Sequence, residues 1–147
     1  AESLVPALWS IATGTRLGGT SGMPATGAGE GTNCPAGTFG YPCFRSGAVP
    51  IVVAITDIYT HNGPGGAFAY NNGSIGATTP TWDQTIAELT ARNIRVIGVG
   101  QGTGGQANLQ ALATATGAPM GTRSMSNVRP LSNDSPMNTG RHLHKLP

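Results

Sequence analysis

A short, almost uninterrupted apolar run at residues 49–57 constrains the fold of this chain more than any other feature. It reads Val-Pro-Ile-Val-Val-Ala-Ile-Thr-Asp, so the apolar residues end abruptly in a threonine and a carboxylate. The run is short and rich in β-branched residues, which predicts a strand buried on both faces, as in parallel sheets. Ligands of open α/β sheets bind outside the carboxyl ends of the strands. Asp57 is therefore the first candidate site residue.

A strand–helix–strand unit follows from local signals further along the chain. Gln84 lies three residues after Thr81, the spacing of a capping box, and predicts that a helix begins there. Residues 94–99 form a second β-branched run and predict a strand. Together these elements predict a right-handed βαβ unit with parallel strands. Apolar residues at helical spacing predict two more helices, at residues 2–13 and 108–117.

Long polar segments separate these elements. Residues 15–48 and 58–80 are predicted to be loops, and residues 119–147 a tail with one short edge strand at 128–131. A loop as long as 15–48 is unusual in a compact domain, so it either has a function or is a peripheral insertion at an edge of the sheet.

The two cysteines, Cys34 and Cys43, lie in the first of these loops, with eight residues between them. A disulfide, two free thiols and a metal site are the three alternatives. Two cysteines at this spacing are a poor zinc signature, which favours the disulfide. Closing so short a loop would contribute about 2–3 kcal/mol. A disulfide implies an extracellular, cell-surface or periplasmic location.

The scattered charges and the short apolar runs argue against a nucleic-acid partner and a membrane span. Charged residues make up 10% of the chain, and its eight basic residues are scattered rather than clustered. A nucleic-acid-binding surface needs a basic cluster, so no nucleic-acid partner is expected. The apolar runs fall short of the ~20 residues that a membrane span requires.

Enzymatic function has little support in the sequence. Gly100, Gly102 and Gly105 match G-x-G-x-x-G after a strand, but no acidic residue closes a strand about 20 residues later, as dinucleotide binding requires. Glycine is abundant, at 23 of 147 residues, so a plain flexible turn over residues 100–105 is the favoured interpretation. The G-x-S-x-G elbow of serine hydrolases is absent.

A hard cation is the best-supported ligand of the predicted strand end. Thr56, Asp57 and Asn62 carry oxygen atoms of the kind that Mg²⁺ and Ca²⁺ bind, and His61 lies in the same loop. One strand end cannot supply a complete site, so other segments must contribute. The alternative role for Asp57 is a loop carboxylate that only accepts hydrogen bonds from nearby backbone amides.

Several segments of the chain resemble the von Willebrand factor A (vWA) domain. Ile-Thr-Asp-Ile-Tyr-Thr-His at residues 55–61 is similar to Ser-Thr-Asp-Ala-Gly-Phe-His of the integrin β-subunit I-like domain. Ala-Glu at residues 1–2 and the helix at 6–12 resemble the family's Pro-Glu and the helix after it. Residues 87–99 and 108–117 resemble its penultimate helix and strand and its final helix. The cysteine loop resembles an insertion found in vWA proteins of bacterial cell surfaces.

This resemblance implies a fold and a metal site. The fold is a three-layer α/β sandwich with a mostly parallel sheet, of which residues 1–118 would be the C-terminal part and 119–147 an extension. In the family, Mg²⁺ is held at the carboxyl end of the sheet by a D-x-S-x-S element, a Thr or Glu, and a late Asp. Glu2 and Asp57 match the last two, whereas no D-x-S-x-S is present in this sequence. The chain would then be part of a longer protein, a fragment completed by another chain, or a truncated relative without metal.

The function implied by the resemblance is non-enzymatic extracellular adhesion. Mg²⁺ held partly by Glu2 and Asp57 would bind a carboxylate of a protein partner, with Thr56, His61 and Asn62 in the surrounding loop. The alternative is a metal-free structural protein that self-associates into a surface layer or filament. A nucleotide-dependent enzyme is the third hypothesis.

Overall fold

The computed structural model describes residues 1–15, 17, 34–75, 78–100 and 102–118. The predicted C-terminal extension and its short strand at 128–131 lie outside these residues. The elements are α1 (Leu4–Thr13), β1 (Thr38–Phe39), β2 (Phe44–Arg45), β3 (Ile51–Thr56), a 3₁₀ turn (Pro64–Gly66), α2 (Asn72–Ile75), α3 (Trp82–Ala91), β4 (Arg95–Gly100) and α4 (Thr103–Ala115).

The predicted parallel pair of strands is confirmed. β3 and β4 lie side by side in parallel, in a register that pairs Ile51 with Arg95 and Thr56 with Gly100. Helix α3 connects them, as the βαβ prediction required. The described residues therefore form an α/β structure with a two-stranded parallel sheet, and a separate antiparallel pair is formed by β1 and β2.

The hydrophobic core lies on one face of the parallel sheet. Ala54 of β3 and Val96 of β4 point into it, and three helices cover them. The helices contribute a set of fully or nearly fully buried apolar side chains: Leu8, Ala12, Leu89, Leu109 and Leu112. Burial of several such side chains, at roughly 1.5–3 kcal/mol each, is the main force that holds α1, α3 and α4 against the sheet.

The prediction that β3 is buried on both faces is wrong for the described structure. Ile51, Val53 and Ile55 are 59%, 55% and 74% exposed, whereas Ala54 and Thr56 are buried. Successive side chains of a strand point to opposite faces, and the described helices pack on one face only. An unbroken apolar run cannot distinguish a strand covered on both faces from one covered on a single face.

The three predicted helices are confirmed, with shifted boundaries: α1 begins two residues after the predicted start, at Leu4, and α4 ends two residues before the predicted end, at Ala115. Helix α1 ends at Gly14, which adopts the left-handed conformation, and α3 begins at Thr81 with both hydrogen bonds of the capping box to Gln84. Helix α4 begins at Thr103, five residues before the predicted start at 108. Since β4 extends to Gly100, the predicted flexible turn over 100–105 is wrong.

Both predicted loops contain short regular elements. The Cys34–Cys43 disulfide is present and closes a small hairpin formed by β1 and β2. Phe39 and Phe44 of this hairpin contact each other, with ring centroids 5.7 Å apart, and pack against the core. The loop at 58–80 contains the 3₁₀ turn and α2.

Among the described residues, no helix combines the length and the apolar character needed to cross a membrane.

Candidate functional site

The candidate site lies where β3 ends and the chain turns through residues 57–63. Two other segments meet it there: the residues before α1 and the first turn of α4. Each is held by specific backbone contacts, which place side chains distant in sequence at one edge of the sheet.

Glu2 is attached to this turn by backbone hydrogen bonds. Its N–H donates to the carbonyl of Tyr59 at 2.8 Å, and its own carbonyl accepts from the N–H of His61 at 2.7 Å. The pairing forms a parallel β-bridge between Glu2 and Thr60. The residue that the sequence placed beside Asp57 only by resemblance therefore does lie next to the segment that follows β3.

Thr60 joins the turn to the beginning of α1. Its side-chain hydroxyl accepts from the N–H of Val5 at 3.2 Å and donates to the carbonyl of Glu2 at 3.0 Å. The N-cap residue, Ser3, makes no capping hydrogen bond with its side chain. The hydroxyl of Thr60 therefore satisfies a backbone donor that the first turn of a helix leaves without an intrahelical partner.

Oxygen atoms of two predicted site residues meet directly. The hydroxyl of Thr56 donates to Oε2 of Glu2 at 2.6 Å, although the two residues are 54 positions apart in the chain. The same hydroxyl oxygen accepts from the N–H of Ile58 at 3.3 Å, which orients it toward Glu2. Asp57 follows directly and is exposed. The strand end thus presents two carboxylates and one hydroxyl, all of them hard oxygen donors.

These donors do not form a complete metal-binding group within the described residues. Across residues 1–15, 17, 34–75, 78–100 and 102–118, no group of three or more His, Cys, Asp or Glu side chains is arranged to hold a metal ion. Hard cations take six or more oxygen ligands, including hydroxyl oxygens, backbone carbonyls and water. The oxygen atoms of Glu2, Thr56 and Asp57 are of the chemical type that such a cation binds, but they are too few to complete its coordination.

Asn62 has a structural role in this structure. Its side-chain amide is buried and donates to the hydroxyl of Thr79 at 2.8 Å and the carbonyl of Pro80 at 2.7 Å. Its side-chain oxygen accepts from the N–H of Tyr70 at 2.9 Å. The hydrogen bonds of Asn62 therefore connect the turn to the segment that leads into α3.

His61 lies against the same segment. Its Nδ1 donates to the carbonyl of Phe68 at 2.7 Å, and its ring stacks on Tyr70 with centroids 4.1 Å apart. The hydroxyl of Tyr70 in turn contacts that of Ser3. These contacts hold the imidazole beside the turn.

The glycines of α4 explain how a helix can approach the turn so closely. A methyl group at Gly105 would lie 2.9 Å from the carbonyl carbon of Asp57 and 3.0 Å from the amide nitrogen of Ile58. At Gly104 it would lie 2.5 Å from the ring of Tyr59. The Gly-rich stretch is therefore required by packing against the candidate site, which accounts for it without nucleotide binding.

Sequence reasoning missed Thr60, Gly104 and Gly105 as residues that shape the site. The glycines carried a signal, because two adjacent glycines at the start of a helix are unfavourable unless another segment needs the space. Thr60 carried none, since one threonine in a polar loop is unremarkable.

Comparison with protein-family models, with curated proteins and with solved structures gave no match.

Proposed function

We propose that this chain is a non-enzymatic extracellular protein-binding module. It binds its partner through a divalent cation, Mg²⁺, held at the end of β3. The observation that carries the proposal is the hydrogen bond from Thr56 to Glu2. It joins two oxygen-bearing side chains from distant segments at the position where α/β sheets bind ligands. The resemblance to the vWA domain supports the same site and, with it, a three-layer sandwich.

The donor set determines the kind of ion. Carboxylate and hydroxyl oxygens suit Mg²⁺ and Ca²⁺, whereas zinc sites are built mainly from cysteine sulfur and histidine nitrogen. The two cysteines are joined in a disulfide, so neither is a thiolate ligand. Glu2, Thr56 and Asp57 would hold the ion, which supplies a positive charge at an exposed edge.

Partner binding follows from that charge. A cation held by few protein side chains keeps coordination positions for water, and a carboxylate of a protein partner can replace one of these waters. The turn at 58–63, ordered by Thr60 and Asn62, would then supply the contacts that distinguish one partner from another. The disulfide favours an extracellular location for such a module, because disulfides persist in oxidising compartments.

Titration of the full chain with MgCl₂, followed by isothermal calorimetry, tests the cation site directly. Extracellular Ca²⁺ modules bind with dissociation constants of about 10⁻⁴ to 10⁻³ M, and binding in this range or tighter is expected here. Asp57→Ala and Glu2→Gln should each weaken binding at least about tenfold, since each removes a charged ligand.

Asp83→Ala is the matched control, because it removes an exposed carboxylate from the first turn of α3, away from β3. It should leave the Mg²⁺ affinity unchanged, and circular dichroism should show that all three variants are folded. A wild-type protein that binds no Mg²⁺, or an Asp57→Ala variant that binds it equally well, would refute the cation mechanism. A metal-free structural role would then become the better hypothesis.

A further inference from the structure

The side-chain amide of Asn108 is buried against the turn that carries the candidate site. Asn108 lies in α4, one helical turn after Gly105, and is 7% exposed. Its Nδ2 is buried and makes no hydrogen bond to any of the described residues. Buried polar side-chain atoms almost always have a partner, either in the protein or in ordered water, so this one requires an explanation.

Polar atoms line the space beside Gly63. A methyl group at Gly63 would lie 3.5 Å from Nδ2 of Asn108. The carbonyl oxygens of Thr60 and Ala67 would lie 3.3 Å and 3.6 Å from the same methyl group. Outside the adjoining residues, these three atoms are the nearest ones in the described structure. One N–H donor and two carbonyl acceptors therefore surround a space that glycine, having no side chain, leaves open.

A single water molecule matches this set of atoms. Its oxygen can accept from Nδ2 of Asn108, while its two O–H groups donate to the carbonyl oxygens of Thr60 and Ala67. The carbonyl of Ala67 already accepts from the N–H of Gly63 at 2.9 Å, and its second lone pair can accept from the water. Buried waters typically make about three hydrogen bonds, to groups that would otherwise be unsatisfied.

We propose that one ordered water molecule is bound between Asn108, Thr60 and Ala67, beside Gly63. The three polar atoms lie just beyond hydrogen-bonding distance, about 2.7–3.2 Å, of the methyl position. A water that contacts Gly63 lies farther from its Cα than a bonded methyl group, and this outward displacement brings it within reach of them. Apolar cavities stay dry, whereas a polar space with about two to four partners holds water.

The bound water connects α4 to the turn beside the candidate site. The hydroxyl of Thr60 accepts from the N–H of Val5 at the start of α1. Through the water, the carbonyl of the same threonine is linked to Asn108 of α4, so two helices hold one residue of the turn. The water does not depend on the proposed cation, because Glu2 and Asp57 are not among its partners. It should therefore remain bound in EDTA, and a failure of either proposal leaves the other standing.

The sign of a stability change tests the water. Asn108→Leu replaces the amide by an apolar group that branches at the same carbon and has no donor. If the water is bound, this variant removes its anchor and should lower the urea midpoint by on the order of 0.5–1 M, with or without EDTA. If the space is dry, the substitution removes an unpaired buried donor and the midpoint should rise. Gln110→Leu, at an exposed position of the same helix, is the matched control and should leave the midpoint unchanged.

A crystal structure of the full chain detects the water directly, whatever the stability of a variant. It should show a peak of electron density within about 3.2 Å of Nδ2 of Asn108 and of the two carbonyl oxygens. Gly63→Ala should lack the peak, because its methyl group fills the space and backbone angles of −65° and −175° are allowed for alanine. A wild-type structure without the peak, or with a metal ion in its place, overturns the proposal. So does a urea midpoint of Asn108→Leu that equals or exceeds that of the wild type, or equal losses in Asn108→Leu and Gln110→Leu.

Discussion

Replacing Thr60 by valine should destabilise the protein through a single hydrogen bond. Thr60 is 1% exposed, and valine has nearly the same shape, so the substitution leaves no cavity. It removes the hydroxyl that accepts from the N–H of Val5 and donates to the carbonyl of Glu2. The Glu2 carbonyl keeps its second donor, the N–H of His61. The N–H of Val5 loses its acceptor.

The magnitude follows from the burial of that N–H group. Val5 is 0% exposed, so water has little access to its amide. Leaving a buried donor without a partner costs about 1–3 kcal/mol. We expect Thr60→Val to lower the free energy of unfolding by about 2 kcal/mol, with the effect concentrated at the start of α1.

Thr60→Ser is the control, because it keeps the hydroxyl and removes only a buried methyl group. Its cost should be about 1 kcal/mol. Urea unfolding followed by circular dichroism, under non-reducing conditions, measures both variants. A difference of about 1 kcal/mol between them corresponds to several tenths of a molar in the urea midpoint. If Thr60→Val is as stable as Thr60→Ser or more stable, the hydroxyl does not support α1 as described.

Two further predictions concern the disulfide and the start of α4. Replacing both Cys34 and Cys43 by serine should lower the free energy of unfolding by about 2–3 kcal/mol, the loop-closure entropy expected for a loop of this length. Reducing agent should have a similar effect on the wild type in the same urea assay, and no loss in either case would contradict this. Gly105→Ala should cost about 1–3 kcal/mol, since the new methyl group would press on the backbone of Asp57. Gln106→Ala, at an exposed position one residue later in the helix, should change the midpoint of thermal unfolding little, and equal effects of the two substitutions would refute the packing argument.

The parallel strand pair was predictable because its signals are local. The β-branched run before Thr56 and the capping box at Thr81 each depend on residues within a few positions of one another. The strand forms at Ile51–Thr56, within the apolar run, and α3 begins directly after Thr81. Exposure was not predictable, because Ile51, Val53 and Ile55 are apolar whether or not another layer covers them.

Some residues of the candidate site were predictable from local signals, and others were not. Thr56 and Asp57 followed from the position of one strand end, but Glu2 entered only through a family resemblance. Its contact with Thr56 spans 54 residues and depends on the backbone bridge to Thr60, which no local pattern reveals. Asn62 offered the right oxygen for a ligand, yet its side chain is occupied in ordering the turn.

Helix α1 connects two parts of the molecule that lie far apart in the sequence. The helix begins two residues after Glu2, and near its other end the carbonyl of Ile11 accepts from the N–H of Tyr41 at 3.0 Å, inside the disulfide-closed hairpin. Ten helical residues span roughly 15 Å. The disulfide therefore closes the loop that contacts the C-terminal end of this helix, while the segment at its N-terminal end carries the carboxylate of Glu2.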